Sequence, residues 1–195
     1  MARGVAKGKR LILVPSDLVA RLMEISNVEG KTFYGFVGEI FWQALRAHEM
    51  RQSLKEIVDF FEIMETQKAS GAVITPLDGL TYLIGEVYQS QREVLLGKWY
   101  ESGEWYGKYL LARFRGRDPV TAFVRLLEVS HWDLKEVHVT ENAGTVKFRC
   151  VSPLLPLENT ELLLKFIEGV MHSLGYRATV EDYLKGIILL EFKKT

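Results

Sequence analysis

Between Lys9 and Leu45 the chain reads KRLILVPSDLVARLMEISNVEGKTFYGFVGEIFWQAL, and no other stretch restricts the possible folds as tightly. Leu11 to Val14 is expected to form a short apolar strand closed by Pro15. Ser16 or Asp17 can cap a first helix whose inner face is Leu18, Leu22 and Ile25. Gly30 supplies a helix stop, and Thr32 can start a second helix lined by Phe36, Val37, Ile40, Phe41, Ala44 and Leu45. A strand and two helices within ~40 residues are too small to bury a core of their own. A second copy solves this: two strands pair as a ribbon and four helices interlock beneath it. The stretch therefore predicts a homodimer.

This order resembles the ribbon-helix-helix family of dimeric DNA-binding proteins, whose strand–Pro–helix–Gly–Ser/Thr–helix punctuation is met at Pro15, Gly30 and Thr32. The resemblance covers about a fifth of the chain. It implies double-stranded DNA as a partner, with one strand face in the major groove. Counting back from Pro15, Val14, Ile12 and Arg10 fall on the helix side, and Lys9, Leu11 and Leu13 on the groove side. The family usually places polar side chains there, because hydrogen-bonding groups read base edges. Leu11 and Leu13 cannot do so; at best they touch a thymine methyl. Phosphate contacts remain open to Lys7, Lys9, Arg10 and the amides near Thr32. The expected DNA-binding set is Arg3, Lys7, Lys9, Arg10, Leu11, Leu13 and Thr32. In the alternative reading the ribbon only dimerises, as part of a scaffold that binds a small molecule or a protein.

Composition sets the remaining bounds. The 195 residues are 48% hydrophobic and 26% charged, an ordinary globular balance with a core to bury. Formal net charge is zero, so attraction to nucleic acid must come from a local patch. The first ten residues, MARGVAKGKR, carry Arg3, Lys7, Lys9 and Arg10 and no acid, which reads as a basic arm. A single cysteine, Cys150, excludes an internal disulfide and fits a reducing compartment. No apolar run approaches the ~20 residues of a membrane span, and no secretory signal opens the chain. The expectation is a cytoplasmic protein without membrane attachment.

Three divisions are expected: a basic arm and ribbon-helix-helix module over 1–50, a connector helix and linker over 51–75, and an α+β domain over 76–195. In the connector, Leu54, Ile57, Phe61 and Met64 recur at helical spacing, so the second helix either runs on or restarts near Ser53. Lys68 to Thr75, with Ser70-Gly71, reads as a boundary. Pro76 opens a helix with Leu80, Leu83, Ile84, Val87 and Tyr88 inward. Further on, Gly103 and Gly107 share a helix face where a second backbone can approach closely, among Trp99, Tyr100, Trp105, Tyr106 and Tyr109. Asp118-Pro119 caps and starts a helix ending near His131. Val137 and Val139, a turn at Asn142-Ala143-Gly144, then Val146, Phe148 and Cys150 make a hairpin. Asn159 or Thr160 caps a helix through Leu162, Leu163, Phe166, Ile167 and Val170, stopped at Gly175. Strands over Arg177 to Asp182 and Ile187 to Phe192 flank Gly186. The fold class is α+β, with C-terminal helices packed on an antiparallel sheet of about four strands.

That succession resembles the 4-vinyl reductase domain, related to small transport-complex subunits and to ligand-sensing domains of aromatic-responsive regulators. The matching pieces are Tyr100-x-x-Gly103-x-x-x-Gly107, the hairpin after Trp132, Phe166-Ile167-Glu168-Gly169, and Glu181 to Phe192 around Gly186. The resemblance spans residues 76 to 193 and implies an apolar pocket for a small hydrophobic or aromatic molecule. Trp99, Tyr100, Trp105, Tyr106 and Trp132 are the expected lining. Cysteines that often bind zinc in that family fall here at Asp182 and Leu190, so no zinc site is expected.

Catalytic chemistry finds no foothold. His48, His131, His138 and His172 include no pair at metal-ligand helical spacing. Cys150 lies on the apolar face of a strand and reads as an inert core residue. Glu181 and Asp182 are adjacent on a strand and point to opposite faces. No phosphate-cradling loop precedes a helix. With neither cofactor nor catalysis expected, the reading is a homodimeric transcriptional regulator. Its C-terminal domain would sense an apolar effector and shift DNA affinity through the connector.

Overall fold

A computed structural model describes residues 11–116, 118–130 and 134–195. Among the described residues six helices and four strands follow one another: α1 (Ser16–Val28), α2 (Phe33–Glu49), α3 (Leu54–Ala69), α4 (Leu77–Arg113), α5 (Pro119–Ser130), β1 (Glu136–Asn142), β2 (Thr145–Val151), α6 (Leu157–Ser173), β3 (Tyr176–Leu184) and β4 (Ile187–Lys194). The chain divides into two units, Met1–Asp59 and Phe60–Thr195.

In the N-terminal unit α1 packs on α2. Gly30 takes the left-handed conformation (φ 66°) that ends α1, and Thr32 is the N-cap of α2, its hydroxyl accepting from Gly35 N at 3.2 Å. One local expectation fails. The N-cap of α1 is Pro15, with no side-chain cap, so neither Ser16 nor Asp17 has that role. Leu11 to Val14 joins no ladder among the described residues, and the partner strand expected for it belongs to a second copy of the chain. The question left open after Leu45 resolves as a restart. Helix α2 ends at Glu49, Arg51 turns left-handed (φ 59°), and α3 begins after Ser53. Ser53 and Glu56 form a reciprocal capping box, Glu56 N donating to Ser53 Oγ at 3.1 Å and Ser53 N to Glu56 Oε2 at 2.5 Å.

The C-terminal unit is an antiparallel sheet of order β1-β2-β4-β3 with helices packed on it. Ala143 and Gly144, both at positive φ (47° and 77°), make the tight turn between β1 and β2. Strands β2 and β4 alternate, sending Val146, Phe148, Cys150, Ile188, Leu190 and Phe192 into the core and Lys147, Arg149 and Glu191 outward. Onto these pack Phe123 and Leu127 of α5 and Leu164, Ile167, Val170 and Met171 of α6. Asp118 caps α5, accepting from Thr121 N at 2.7 Å. Helix α6 starts earlier than expected, after Pro156, so Asn159 and Thr160 lie inside its first turn rather than capping it. Thr160 Oγ1 instead donates to Pro156 O at 2.7 Å and accepts from Gly186 N at 2.9 Å, fastening the β3–β4 turn to α6.

Candidate functional site

Two places follow from the residues singled out above, one in each unit. In the N-terminal unit, Thr32 stands where phosphate contact was expected. The amides of Phe33 and Tyr34 sit at the electropositive end of α2, a helix with no acid in its first turn. Leu11 and Leu13 are each 91% exposed. Arg3, Lys7, Lys9 and Arg10 lie outside the described residues.

Many apolar side chains of this unit are exposed, while Leu22, Phe36, Val37, Ile40 and Ala44 are half-buried. Leu18, Met23, Ile25, Phe41, Trp42 and Leu45 are all exposed, and Ser26 and Ala47 are its buried residues among those described. Ser26 satisfies its hydroxyl within α1, donating to Met23 O at 2.9 Å. Helix α2 thus leaves Phe41, Trp42 and Leu45 half exposed or more.

In the C-terminal unit the glycines explain themselves. Helices α4 and α6 cross where Gly103, Gly107 and Gly169 meet. A Cβ at Gly103 would run into the carbonyl of Phe166, one at Gly107 into Ser173 Oγ, and one at Gly169 into the carbonyl of Tyr100. Close backbone approach was the sequence reading for the first two, and Gly169 is its reciprocal partner on α6. Both motifs of the second resemblance on helices, around Gly103 and around Gly169, are the two sides of this one crossing.

The aromatic residues expected around a ligand have different surroundings, with Trp105 and Tyr106 both against Tyr109. Trp99 packs beside Ile84, Tyr88, Leu96 and Leu162. Tyr106 enters the main core, tilted against Phe166 with ring centres 5.8 Å apart. Its buried hydroxyl lacks a well-formed hydrogen bond among the described residues; burial drives it well above the usual tyrosine range, against a lowering by nearby Ser70. Trp105 is half exposed and stacks on Tyr109 at 5.5 Å. Tyr100 meets the His172 imidazole through its hydroxyl and is raised by partial burial and then by Glu104 and Glu168. Trp132 lies outside the described residues. The two described cavities have other walls. One, of about 300 Å³, lies open on the outer sheet face between His138, Lys147, Arg149, Val180 and Leu189. The other, of about 260 Å³, is lined by Glu62, Thr66, Arg113, Phe114 and Arg115.

A polar constellation that the sequence did not disclose lies beside the bend of α4 at Gln91, whose φ of −133° interrupts the helix. Glu161 of α6 accepts from the Tyr88 hydroxyl and from Arg92, through Nε at 3.0 Å and an Nη at 2.6 Å. Burial works to raise the Glu161 carboxyl, but hydrogen bonds from Tyr88, Arg92 and Tyr183 outweigh it and hold the group below its ordinary value. Tyr88 is pushed up to about 12 by burial and by that carboxylate. Every member is satisfied, which makes this a clamp between α4 and α6. The only sequence hint was the inward placement of Tyr88. Cys150 is buried, and burial pushes its thiol up to about 12, leaving no thiolate for chemistry. Asp182 is exposed and Leu190 buried on opposite faces of the sheet, and no cluster of three or more His, Cys, Asp or Glu suited to a metal occurs among the described residues.

No protein-family profile matches the sequence, and no curated protein matches it. Among solved structures, a chain from work on heme distortion in the H-NOX family is similar at a TM-score of 0.39 and 18% identity, covering 73% of this chain and 89% of that one. No helix among the described residues is long and apolar enough to cross a membrane.

Proposed function

We propose that this protein is a homodimeric DNA-binding regulator whose C-terminal α+β unit senses a small apolar or aromatic molecule. The observation that carries the reading is the N-terminal unit's missing core. Its helix ends are set by Gly30 and the Thr32 cap, yet Leu18, Phe41, Trp42 and Leu45 stay exposed. A second copy would cover those faces, and in the dimer Leu11 to Val14 would gain the strand partner it lacks. The basic arm and the positive end of α2 would then hold phosphates.

A titration of duplex DNA at low and moderate salt tests this. Binding should weaken steeply with added salt, as counterion release requires. Absence of binding at low salt to any genomic pool sinks the regulator reading. The second reading, a ribbon used only for dimerisation, is favoured by Leu11 and Leu13, which expose apolar surface where base-reading side chains would stand. It expects a dimer that ignores DNA at every salt concentration.

A further inference from the structure

Strand β4 opens Ile187-Ile188-Leu189-Leu190, four apolar residues in a row. A strand with one wet face alternates, whereas a continuous apolar run belongs to a strand covered on both faces. Ile188 and Leu190 enter the core, so Ile187 and Leu189 stand on the outer face of the sheet, where both are exposed. The ladders give this face two complete rows. Val151 of β2 and Leu184 of β3 lie directly opposite Ile187, one on either side, and Arg149 of β2 and Asp182 of β3 flank Leu189 in the same way. Residues opposite each other on one face sit ~5 Å apart, so Val151, Ile187, Leu184 and Leu189 form one continuous apolar surface.

The charges beside Leu189 select what covers it. Arg149 and Asp182 have opposite sign and stand two strand spacings apart, ~9.6 Å, with an apolar residue midway between them. Arg149 meets Glu136 through Nη1 at 3.2 Å, and Asp182 has no ion pair among the described residues. A surface that pairs with itself about a two-fold axis needs this arrangement, because what stands on one side of the axis must complement what stands on the other. An axis along β4, between two stacked sheets, brings β2 of one copy over β3 of the other. Leu189 then meets Leu189, Ile187 meets Ile187, Val151 meets Leu184 and Arg149 meets Asp182, the last two contacts each made twice. Farther along the strand the same axis sets Glu191 against Glu191 and Lys193 against Lys193. Lys147 neutralises Glu191 at 2.7 Å, and the ~30° between stacked sheets carries these rows away from the axis. With Glu136, Asp182 and Glu191 among its cations, the face has no field of one sign to draw nucleic acid.

We infer that the outer sheet face, centred on Ile187 and Leu189, pairs with the same face of a second copy of the chain. The contact lies wholly in the C-terminal unit and does not depend on the N-terminal one. At ordinary strand spacings the face measures ~19 Å by ~26 Å, which places the contact among the smaller, transient interfaces.

Charge exchange in the full-length chain, read by trapping, tests the inference. Each protein carries Leu189→Cys, close to the axis, and is treated with a short bis-maleimide. Native Cys150 is buried and serves as the unreactive background. Thr140→Cys, on the edge strand β1 of the same face, is the control for random collision. Covalent dimer from Leu189→Cys, and little from the control, is the expected result. Adding Arg149→Asp or Asp182→Arg should each lower the yield roughly tenfold, because like charges would then face each other. Combining both substitutions in one chain should restore the yield, and co-expressing the two single variants should restore much of it, since opposite charges meet again across the axis. Equal yields from all variants overturn the inference, as does a loss that neither combination restores in variants that melt as the parent does. Dimeric mass by light scattering without a cross-link at Leu189→Cys also overturns it and leaves the N-terminal dimer standing. Cross-linking that follows the charge exchange in a chain that binds no DNA upholds the inference and overturns the regulator reading.

Discussion

The two units place similar side chains in opposite environments. In the C-terminal unit Phe123, Phe148 and Phe192 are essentially inaccessible, whereas in the N-terminal unit Phe41 and Trp42 are at least half exposed. Both units have well-terminated helices, so the difference does not come from local structure. Gly30, the Thr32 cap and the Ser53–Glu56 box shape the N-terminal helices as firmly as Asp118 and Gly175 shape those of the C-terminal unit. What differs is chain length available to close a core. Capping fixes where helices start and stop, at ~1 kcal/mol each, while burial of whole side chains decides whether they stay together.

The contrast can be broken hardest at the glycine crossing. Gly103→Val should destabilise the C-terminal unit by at least ~3 kcal/mol, because a side chain there meets the Phe166 backbone, which cannot step aside. Thermal unfolding should show a drop of roughly 10 °C, and an unchanged transition would mean that the helices do not cross as described. Of comparable size is Phe123→Ala, expected to cost about 3–5 kcal/mol and less if the core collapses. The paired change Phe41→Ala in the N-terminal unit should have little effect in a monomer. In a dimer it should lower the association constant measured by sedimentation, which sharpens the comparison directly.

A smaller effect separates by pH. Glu161 is held below its ordinary value in the folded chain, so the stabilisation it provides is complete above its unfolded pKa. It disappears as pH falls through the lower folded value. Glu161→Gln should therefore melt a few degrees (about 3–6 °C) below the parent at pH 7, and the gap should close toward pH 3. An equal gap at both pH values would show that the carboxylate charge is irrelevant to the clamp. The smallest change is expected for Thr32→Ala, about 1 kcal/mol through the lost α2 cap. Guanidinium unfolding followed by helix content would detect it, and a null result would place the start of α2 elsewhere.

The parts legible in the sequence were those governed by neighbours along the chain. Gly30, Gly144, Gly175 and Gly186 announced stops and turns, and alternation in Val146, Phe148 and Cys150 announced a strand. Even the close approach at Gly103 and Gly107 could be read, because losing a side chain twice on one helix face has few other uses. Some details were not legible. Whether Ser16 or Pro15 caps a helix depends on backbone geometry within one residue. The Tyr88–Arg92–Glu161 clamp joins residues far apart in sequence, and nothing local in α4 or α6 points from one to the other. For the ligand set, Tyr106 and Trp99 looked alike in sequence, but aromatic content does not tell which core a ring will join.

The crossing of α4 and α6 also has a consequence for how the chain reaches its native state. Tyr100 and His172, which flank it, are 72 residues apart. The two hairpins, by contrast, close across two-residue turns at Ala143-Gly144 and Lys185-Gly186. Hairpins of that kind form in roughly 1–10 μs, whereas long loops must first lose their freedom before any contact rewards them. We expect the sheet's hairpins to form early and the glycine seam to zip last. Substitutions at Gly169 should then chiefly speed unfolding and leave the refolding rate of the C-terminal unit nearly unchanged, a division that stopped-flow measurements can resolve.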